Sequence, residues 1–442
     1  MNKKILVTIG ILVVVIALLG VYFIYFHKPN ILTEQQLKQK FSELEAQYKE
    51  KKAQGYDLSE VENLVREAKH AYGRGDYKRT DELLDKAFDA LEKVPLPPPT
   101  TQPTVPPPTL TGEGFVIVCG NHFCLNGERY RFVGANVHWR FLSFPHDEID
   151  RTFEETSKLG MKVIRVWLWD PQSHPEARFE DIDYMLDSAR RHDIKLIIAL
   201  ASHDGIVKYR IRAHPELEGE NPREVREGFF EDVEANELYR NFVYNLITRT
   251  NSINGVQYRE DPTIFSWELM NEPDCAAPSL DVLTEWIEGT SSYIKSIDQN
   301  HMISTGTSNC REHFKALNSP VNISFCTVHI YPDPAHRGTI MNEVRGVIDN
   351  VVNTSVEMGK PIVMEEYGIS RRKLDHNSTR ENWYQLMLDE FYSKDGDGTA
   401  FWAFSARSNL TEEELRIENG ISLHPDDAEL REIIKEKAKE IE

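Results

Sequence analysis

From Arg131 onward the chain repeats one pattern eight times: a short run that is apolar on both faces, then a longer stretch. The runs are Arg131–Asn136, Lys162–Leu168, Lys195–Leu200, Thr263–Asn271, Met302–Gly306, Ser324–Ile330, Pro361–Glu366 and Thr399–Phe404. A strand apolar on both faces must be covered on both faces, which is the condition of a parallel sheet flanked by helices. Amphipathic helices fit Glu148–Leu159, Glu180–His192, Asn236–Thr250 and Asp281–Asp298, and the connection after the fifth strand carries the weakest helical pattern. Eight strand–helix units within residues 113–442 predict an α/β fold of the (β/α)8 TIM barrel type. An open doubly wound sheet is the competing topology, but no Gly-rich phosphate loop opens a helix. Ahead of the first strand, Asn126-Gly127 between apolar flanks predicts a hairpin.

The preceding residues divide into three segments. Ile5–Phe26 is uncharged and rich in Ile, Leu and Val. As a helix it would reach about 33 Å, enough to cross a bilayer core. It exceeds a signal-peptide apolar region and lacks a small-residue cleavage site, so residues 1–30 are expected to be a transmembrane anchor. Lys3 and Lys4 before the span nearly balance Lys28, Lys38 and Lys40 after it. The short leading stub favours a cytoplasmic amino terminus with the bulk of the chain extracellular. Residues 31–94 hold three amphipathic helical patterns, predicting a small all-α bundle that acts as a spacer or as a docking module for an unknown protein. Its capping signals are Thr33 with Gln36 and Ser59 with Glu62. Residues 95–112 are a Pro/Thr-rich linker, with eight prolines between Pro95 and Thr109, that can only be extended.

The net charge of −20 argues against a nucleic-acid surface and is neutral about a sugar polymer. Cys119 and Cys124 could bridge the hairpin or remain a loose pair of thiols, and Cys326, in an apolar run, is expected to be buried and free.

Two apolar strands end in acid. "WELMNEPD" brings Glu272 to the end of the fourth strand, and "PIVMEEYG" brings Glu366 to the end of the seventh. Barrel enzymes place their chemistry at the C-terminal ends of strands, where these two can converge. Two carboxylates about 5 Å apart serve retaining hydrolysis of a glycosidic bond, one attacking the anomeric carbon and the other acting as acid, then base. No metal or cofactor is needed. Arg165, a lone cation inside the second strand, requires an anion and could take the nucleophilic carboxylate. His329 and Tyr331 alternate onto one face at the end of the sixth strand and can hydrogen-bond a glutamate. Trp402, in the eighth, offers a flat platform for a sugar ring. Asn136, His138, Trp139, Trp167, Trp169 and His203 stand near the ends of the first three strands as candidate subsite residues, each competing with a packing role.

Taken in order, "WELMNEP", "VHIYPD", "MEEYG" and "FWAF" resemble glycoside hydrolase family five, over roughly Phe115 to Arg407. "DPTIFSWELMNEP" is most similar to the endo-β-1,4-mannanase branch, with a cellulase of the same family as the alternative. The resemblance implies Glu272 as acid/base, Glu366 as nucleophile, Asn271 on the sugar 2-hydroxyl, Arg165 and Tyr331 orienting the nucleophile, His329 beside the acid/base and Trp402 under the reacting ring. Glu365 is expected on the opposite strand face in a structural role. The stretch after the third strand lacks the tryptophans of a mannan-binding wall. A catalytically inactive carbohydrate-binding protein is the reading of another class, and the intact site residues weigh against it.

Overall fold

The computed structural model describes residues 32–53, 58–93, 114–138, 141–173, 178–308, 312–376, 378–407 and 421–442. The predicted anchor, the proline-rich linker, Cys310 and Trp139 lie outside the described residues. Among those described, no helix is long and apolar enough to cross a membrane. The chain separates into two units, residues 1–109 and 110–442.

In the first unit, helices α1 (Glu34–Ala53), α2 (Ser59–Gly73) and α3 (Tyr77–Lys93) bury Leu37, Leu44, Val61, Ala68, Leu84 and Ala87 in a common core. The predicted capping box forms at α1: the Thr33 amide donates to Gln36 Oε1 at 2.8 Å, and the Gln36 amide donates back to Thr33 Oγ1 at 3.4 Å. At α2 the expectation fails. The helix begins at Ser59 itself, so Leu58 occupies the N-cap position and supplies no side-chain bond.

In the second unit, β1 (Val116–Cys119), β2 (His122–Leu125) and β3 (Glu128–Arg129) form an antiparallel sheet. Asn126 and Gly127 both have positive φ, 53° and 87°, as a type I′ turn requires. Cys119 and Cys124 are joined in a disulfide across the β1–β2 turn. The barrel strands are β4 (Phe132–Val137), β5 (Val163–Trp167), β6 (Lys195–Ala199), β7 (Ile264–Glu268), β8 (Met302–Ser304), β9 (Cys326–Ile330), β10 (Ile362–Tyr367) and β11 (Gly398–Phe404). They pair in parallel in the order β8-β7-β6-β5-β4-β11-β10-β9, giving a near-closed barrel of the TIM type. The β8–β9 seam is bridged by the Ser324 amide donating to Ile303 O at 2.8 Å. A helix follows every strand, and the weak pattern after the fifth corresponds to one of only five residues, Phe314–Asn318.

Alternation sorts the strand residues. Ile164, Leu196, Ile198, Ile264, Val328 and Ile362 pack outward in the main core, under the helices. Phe132, Val163, Ile197, Phe265, Phe325 and Val363 point inward and form the lowest interior layer with Phe123 of the hairpin, whose ring lies 5.0 Å from Phe265 and 5.3 Å from Phe325. Gly134 lets β4 lie close to β5, since a Cβ there would stand 2.4 Å from the Val163 carbonyl oxygen. One step further along the strands, the interior becomes polar.

Candidate active site

Above the aromatic layer, Arg165 of β5 organises the barrel mouth. It is 1 % exposed and commits all five of its N–H donors. Nε and Nη2 grip the two oxygens of Glu268, each at 2.6 Å. Nη2 also donates to Asn271 Oδ1 at 2.7 Å, while Nη1 donates to Asn136 Oδ1 at 2.8 Å and to Glu366 Oε1 at 2.6 Å. The Tyr331 hydroxyl donates to Glu366 Oε2 at 2.6 Å, so both oxygens of Glu366 are oriented. Burial and the charge of Glu366 push the Tyr331 hydroxyl well above its ordinary range, keeping it a donor.

Glu272 faces this pair. His329 Nδ1 lies 2.9 Å from Glu272 Oε1 and 3.6 Å from Glu366 Oε2. One side-chain oxygen of Glu272, one of Glu366 and a ring nitrogen of His329 all lie within 4.8 Å of one another. That separation belongs to the retaining arrangement, about 5–5.5 Å, and leaves no room for the water of an inverting one, about 6.5–9.5 Å. Burial alone would lower the His329 imidazole, but the carboxylates of Glu366, Glu272 and Glu365 outweigh it and push it up to about 10. Burial of Glu272 raises its carboxyl, yet the bond and charge of His329 outweigh that and hold it below the usual range. The free site therefore keeps a proton on the histidine side of the Glu272–His329 bond.

The backbone at Glu272 is left-handed, φ 50° and ψ 53°, a conformation costly for a residue with a Cβ. It is held by the Glu272 amide donating to Gly306 O at 2.8 Å, by His203 Nε2 at 2.9 Å from Glu272 O, and by Asp274 accepting from the amide and hydroxyl of Ser308. Gly306 permits this close approach, since a Cβ there would meet Met270 O at 2.1 Å.

Several expected roles change. Asn136 is fully buried, with its oxygen on Arg165 and its amide on the carbonyls of Glu365 and Ala400, so it supports the guanidinium and does not line a subsite. His203 reaches the backbone carbonyl of Glu272. Asn271 accepts from Arg165 through its side-chain oxygen, which turns its amide group away from the guanidinium. Trp402, part exposed, stacks on Trp167 with centroids 4.7 Å apart and 22° between planes. Trp167 in turn lies 5.7 Å from the Arg165 Cζ, so the platform rests on the charged network. His138 stacks on Phe144, and Trp169 is half-buried and lines a small pocket with Leu168, Leu200, Ala201 and Tyr209.

Glu365 does not lie on the opposite face. A β-bulge shifts the β10 register between Met364 and Glu366 against β9, so two residues oppose one and both glutamates turn inward. Glu365 Oε1 lies 3.9 Å from Arg165 Nε, and Oε2 lies 3.8 Å from His329 Nε2. Glu268 is the residue sequence reasoning missed. It sits within the quoted "WELMNEPD", and the argument applied to Arg165, that a lone charge in an apolar strand needs a counter-ion, applies to it equally.

Residues 152–426 match the family described as GH family 5 beta-mannosidase-like. The chain belongs to glycoside hydrolase family 5. It is similar to mannan endo-1,4-beta-mannosidase 5 of Arabidopsis thaliana, with 30 % identity over 344 residues covering 65 % of this chain and 78 % of that one. Among solved structures it is similar to the endo-beta-1,4-mannanase of Thermotoga petrophila, with TM-score 0.60 and 29 % identity over 71 % of this chain and 77 % of that one. It is also similar to the endo-1,4-beta-mannanase of Rhizomucor miehei, with TM-score 0.63 and 25 % identity over 74 % and 99 %. Family membership and the carboxylate geometry together make this chain a retaining glycosyl hydrolase of clan A.

Proposed function

We propose that this family 5 hydrolase is a membrane-tethered endo-β-1,4-mannanase with its barrel outside the cell. The observation that carries the reaction is the approach of Glu272 and Glu366 to within 4.8 Å across the mouth. The endo-mannanase relatives support the polymer. Support for the tether comes from the uncharged stretch Ile5–Phe26, and support for an oxidising compartment from the Cys119–Cys124 disulfide.

In the first step Glu366, held on one oxygen by Arg165 and on the other by Tyr331, attacks the anomeric carbon of a mannosyl unit lying on Trp402. The glycosidic C–O bond breaks as Glu272 gives its proton to the departing oxygen, and a mannosyl ester forms on Glu366. The Glu272 side chain is 27 % exposed in the free site. A sugar seated over it removes that exposure, raises its proton affinity and draws the proton across the 2.9 Å bond from His329. In the second step Glu272 takes a proton from water, the hydroxide joins the anomeric carbon, and Glu366 leaves as carboxylate, so configuration is retained.

The test is product analysis with the full chain in detergent micelles on linear β-1,4-mannan, cellulose and xyloglucan. A spread of short manno-oligosaccharides, with configuration retained by proton NMR, supports the reading. Release of mannose alone, preference for a glucan, or recovery of the full chain in the soluble fraction without detergent would each refute its corresponding part.

A further inference from the structure

Beneath the nucleophile the barrel holds more carboxylates than the reaction uses. Glu268 and Glu365 are both 0 % exposed. Arg165 spends its five donors on Glu268, Asn271, Asn136 and Glu366, and none reaches Glu365. Both oxygens of Glu365 are buried without a hydrogen-bond partner. The nearest cationic atoms, on Arg165 and His329, stand at 3.9 and 3.8 Å, beyond hydrogen-bond reach. A buried ionised carboxylate with no donor is among the costliest states a protein can hold. A neutral carboxylic acid in the same place is itself a donor, and the other buried carboxyl group set against Arg165 is Glu268.

The charge count agrees. The groups facing this pair are Arg165 from β5, His329 from β9, Glu366 from β10 and, beyond His329, Glu272 from the loop after β7. Two cations against four carboxylates leave two excess negative charges, and of the four carboxylates only Glu272 reaches water. One proton on the lower pair halves that excess, and the charge that remains lies toward the mouth, where the Glu272 side chain is 27 % exposed.

We propose that Glu268 and Glu365 share one proton, forming an acid–carboxylate pair that positions the nucleophile through Arg165. Carrying one charge between them, they match Arg165 once and leave its Nη1 edge free to hold Glu366. When that proton is lost, a second negative charge appears beneath Glu366, competes for Arg165 and loosens its hold on the nucleophile. The alkaline limb of activity then belongs to this pair. Burial and the Glu365 charge outweigh the attraction of Arg165 and push Glu268 up to about 8, which places the limb below the deprotonation of His329, near 10.

This inference rests on the hydrolase reading for its kinetic part, and an infrared titration of the full chain tests it without turnover. Between pH 6 and 10 the wild-type protein should lose one protonated-carboxyl band, distinct from the imidazole signals of His329, and Glu365→Gln should lack that band. Absence of the band in the wild type, or its persistence in Glu365→Gln, overturns the proposal. In the kinetic arm, Glu365→Gln keeps a donor toward Glu268 that cannot ionise. Its alkaline limb of kcat/KM should move up by about one pH unit or more. Glu365→Leu, which offers no donor, should lose activity that Glu365→Gln retains. An unmoved limb in a folded Glu365→Gln enzyme refutes the positioning role. Should Glu365→Gln fail to fold, the wild-type band decides.

Discussion

Replacing Glu272 by glutamine separates its two roles from each other and from folding. The glutamine carbonyl can accept from His329 Nδ1 where the carboxylate now does, at 2.9 Å, so the site should assemble and the thermal midpoint should change little. What is lost is the proton for the departing oxygen. General acid catalysis contributes about 10²–10⁴ in rate, or roughly 2.7–5.4 kcal/mol at about 1.36 kcal/mol per decade. On mannan, whose leaving group is a poor one, kcat/KM should fall by about that factor. On a dinitrophenyl β-mannoside the leaving group needs no proton, so kcat/KM, which reports the glycosylation step, should be largely preserved. Deglycosylation then lacks its base, so kcat and KM both fall and the ester on Glu366 accumulates. Azide needs no base to attack and should restore turnover, giving a β-mannosyl azide. Parallel losses on both substrates, or mannan activity within about tenfold of the wild type, would remove Glu272 from the acid/base role.

Glu366→Gln should abolish turnover of both substrates, and a 2-deoxy-2-fluoro mannosyl fluoride should label the peptide bearing Glu366 in the wild type; label on another peptide contradicts the assignment. His329 has a folded-state value near 10, above the ordinary 6.5, so its contribution to stability is fully present below about 6.5 and disappears as pH rises through 10. The gap in thermal midpoint between wild type and His329→Asn should accordingly be wide at pH 6 and narrow at pH 10; a gap that is constant with pH refutes the charged histidine. Phe265→Ala empties the centre of the lower aromatic layer and should cost about 3–5 kcal/mol in denaturant unfolding of the barrel, with m unchanged. Exhaustive chelation should leave the rate on mannan unchanged, since carboxylates supply both chemical roles; loss of activity restored by a divalent cation would contradict that.

The barrel was legible because its strands are apolar on both faces, a property that one helix-covered architecture after another requires but that only a closed or doubly wound sheet can satisfy eight times. Glu272, Glu366, Arg165, His329 and Tyr331 were legible for the complementary reason: charge and hydroxyl groups at the end of an apolar strand have no purpose in packing. What alternation could not predict was the side of β10 on which Glu365 falls. A period-two reading assigns Glu365 and Glu366 to opposite faces, and one inserted residue in the ladder cancels that assignment. Nothing in the apolar run before it marks a bulge, because the signal is geometric and lies in the pairing with β9. Asn136 misleads in the other direction. Its position at the end of β4 suits a sugar contact, and only the five donors of Arg165, each requiring an acceptor, draw it beneath the surface.

The omission of Glu268 has a different cause from the bulge at Glu365, and it bears on how such a site works. Each catalytic group was considered with a single partner: Arg165 with the nucleophile, His329 with the acid. A guanidinium has five donors, and an enclosed site must satisfy every one while holding its total charge near zero. Had Arg165 served Glu366 alone, three or more of its N–H groups would have been left buried and unpaired, at about 1–3 kcal/mol each. Glu268, Asn136 and Asn271 exist at their positions to prevent that, and Glu365 then exceeds the donors available. Counting donors around one buried cation therefore identifies the supporting residues that strand periodicity overlooks, and it isolates the one carboxyl group, Glu365, that must obtain its hydrogen from somewhere other than arginine.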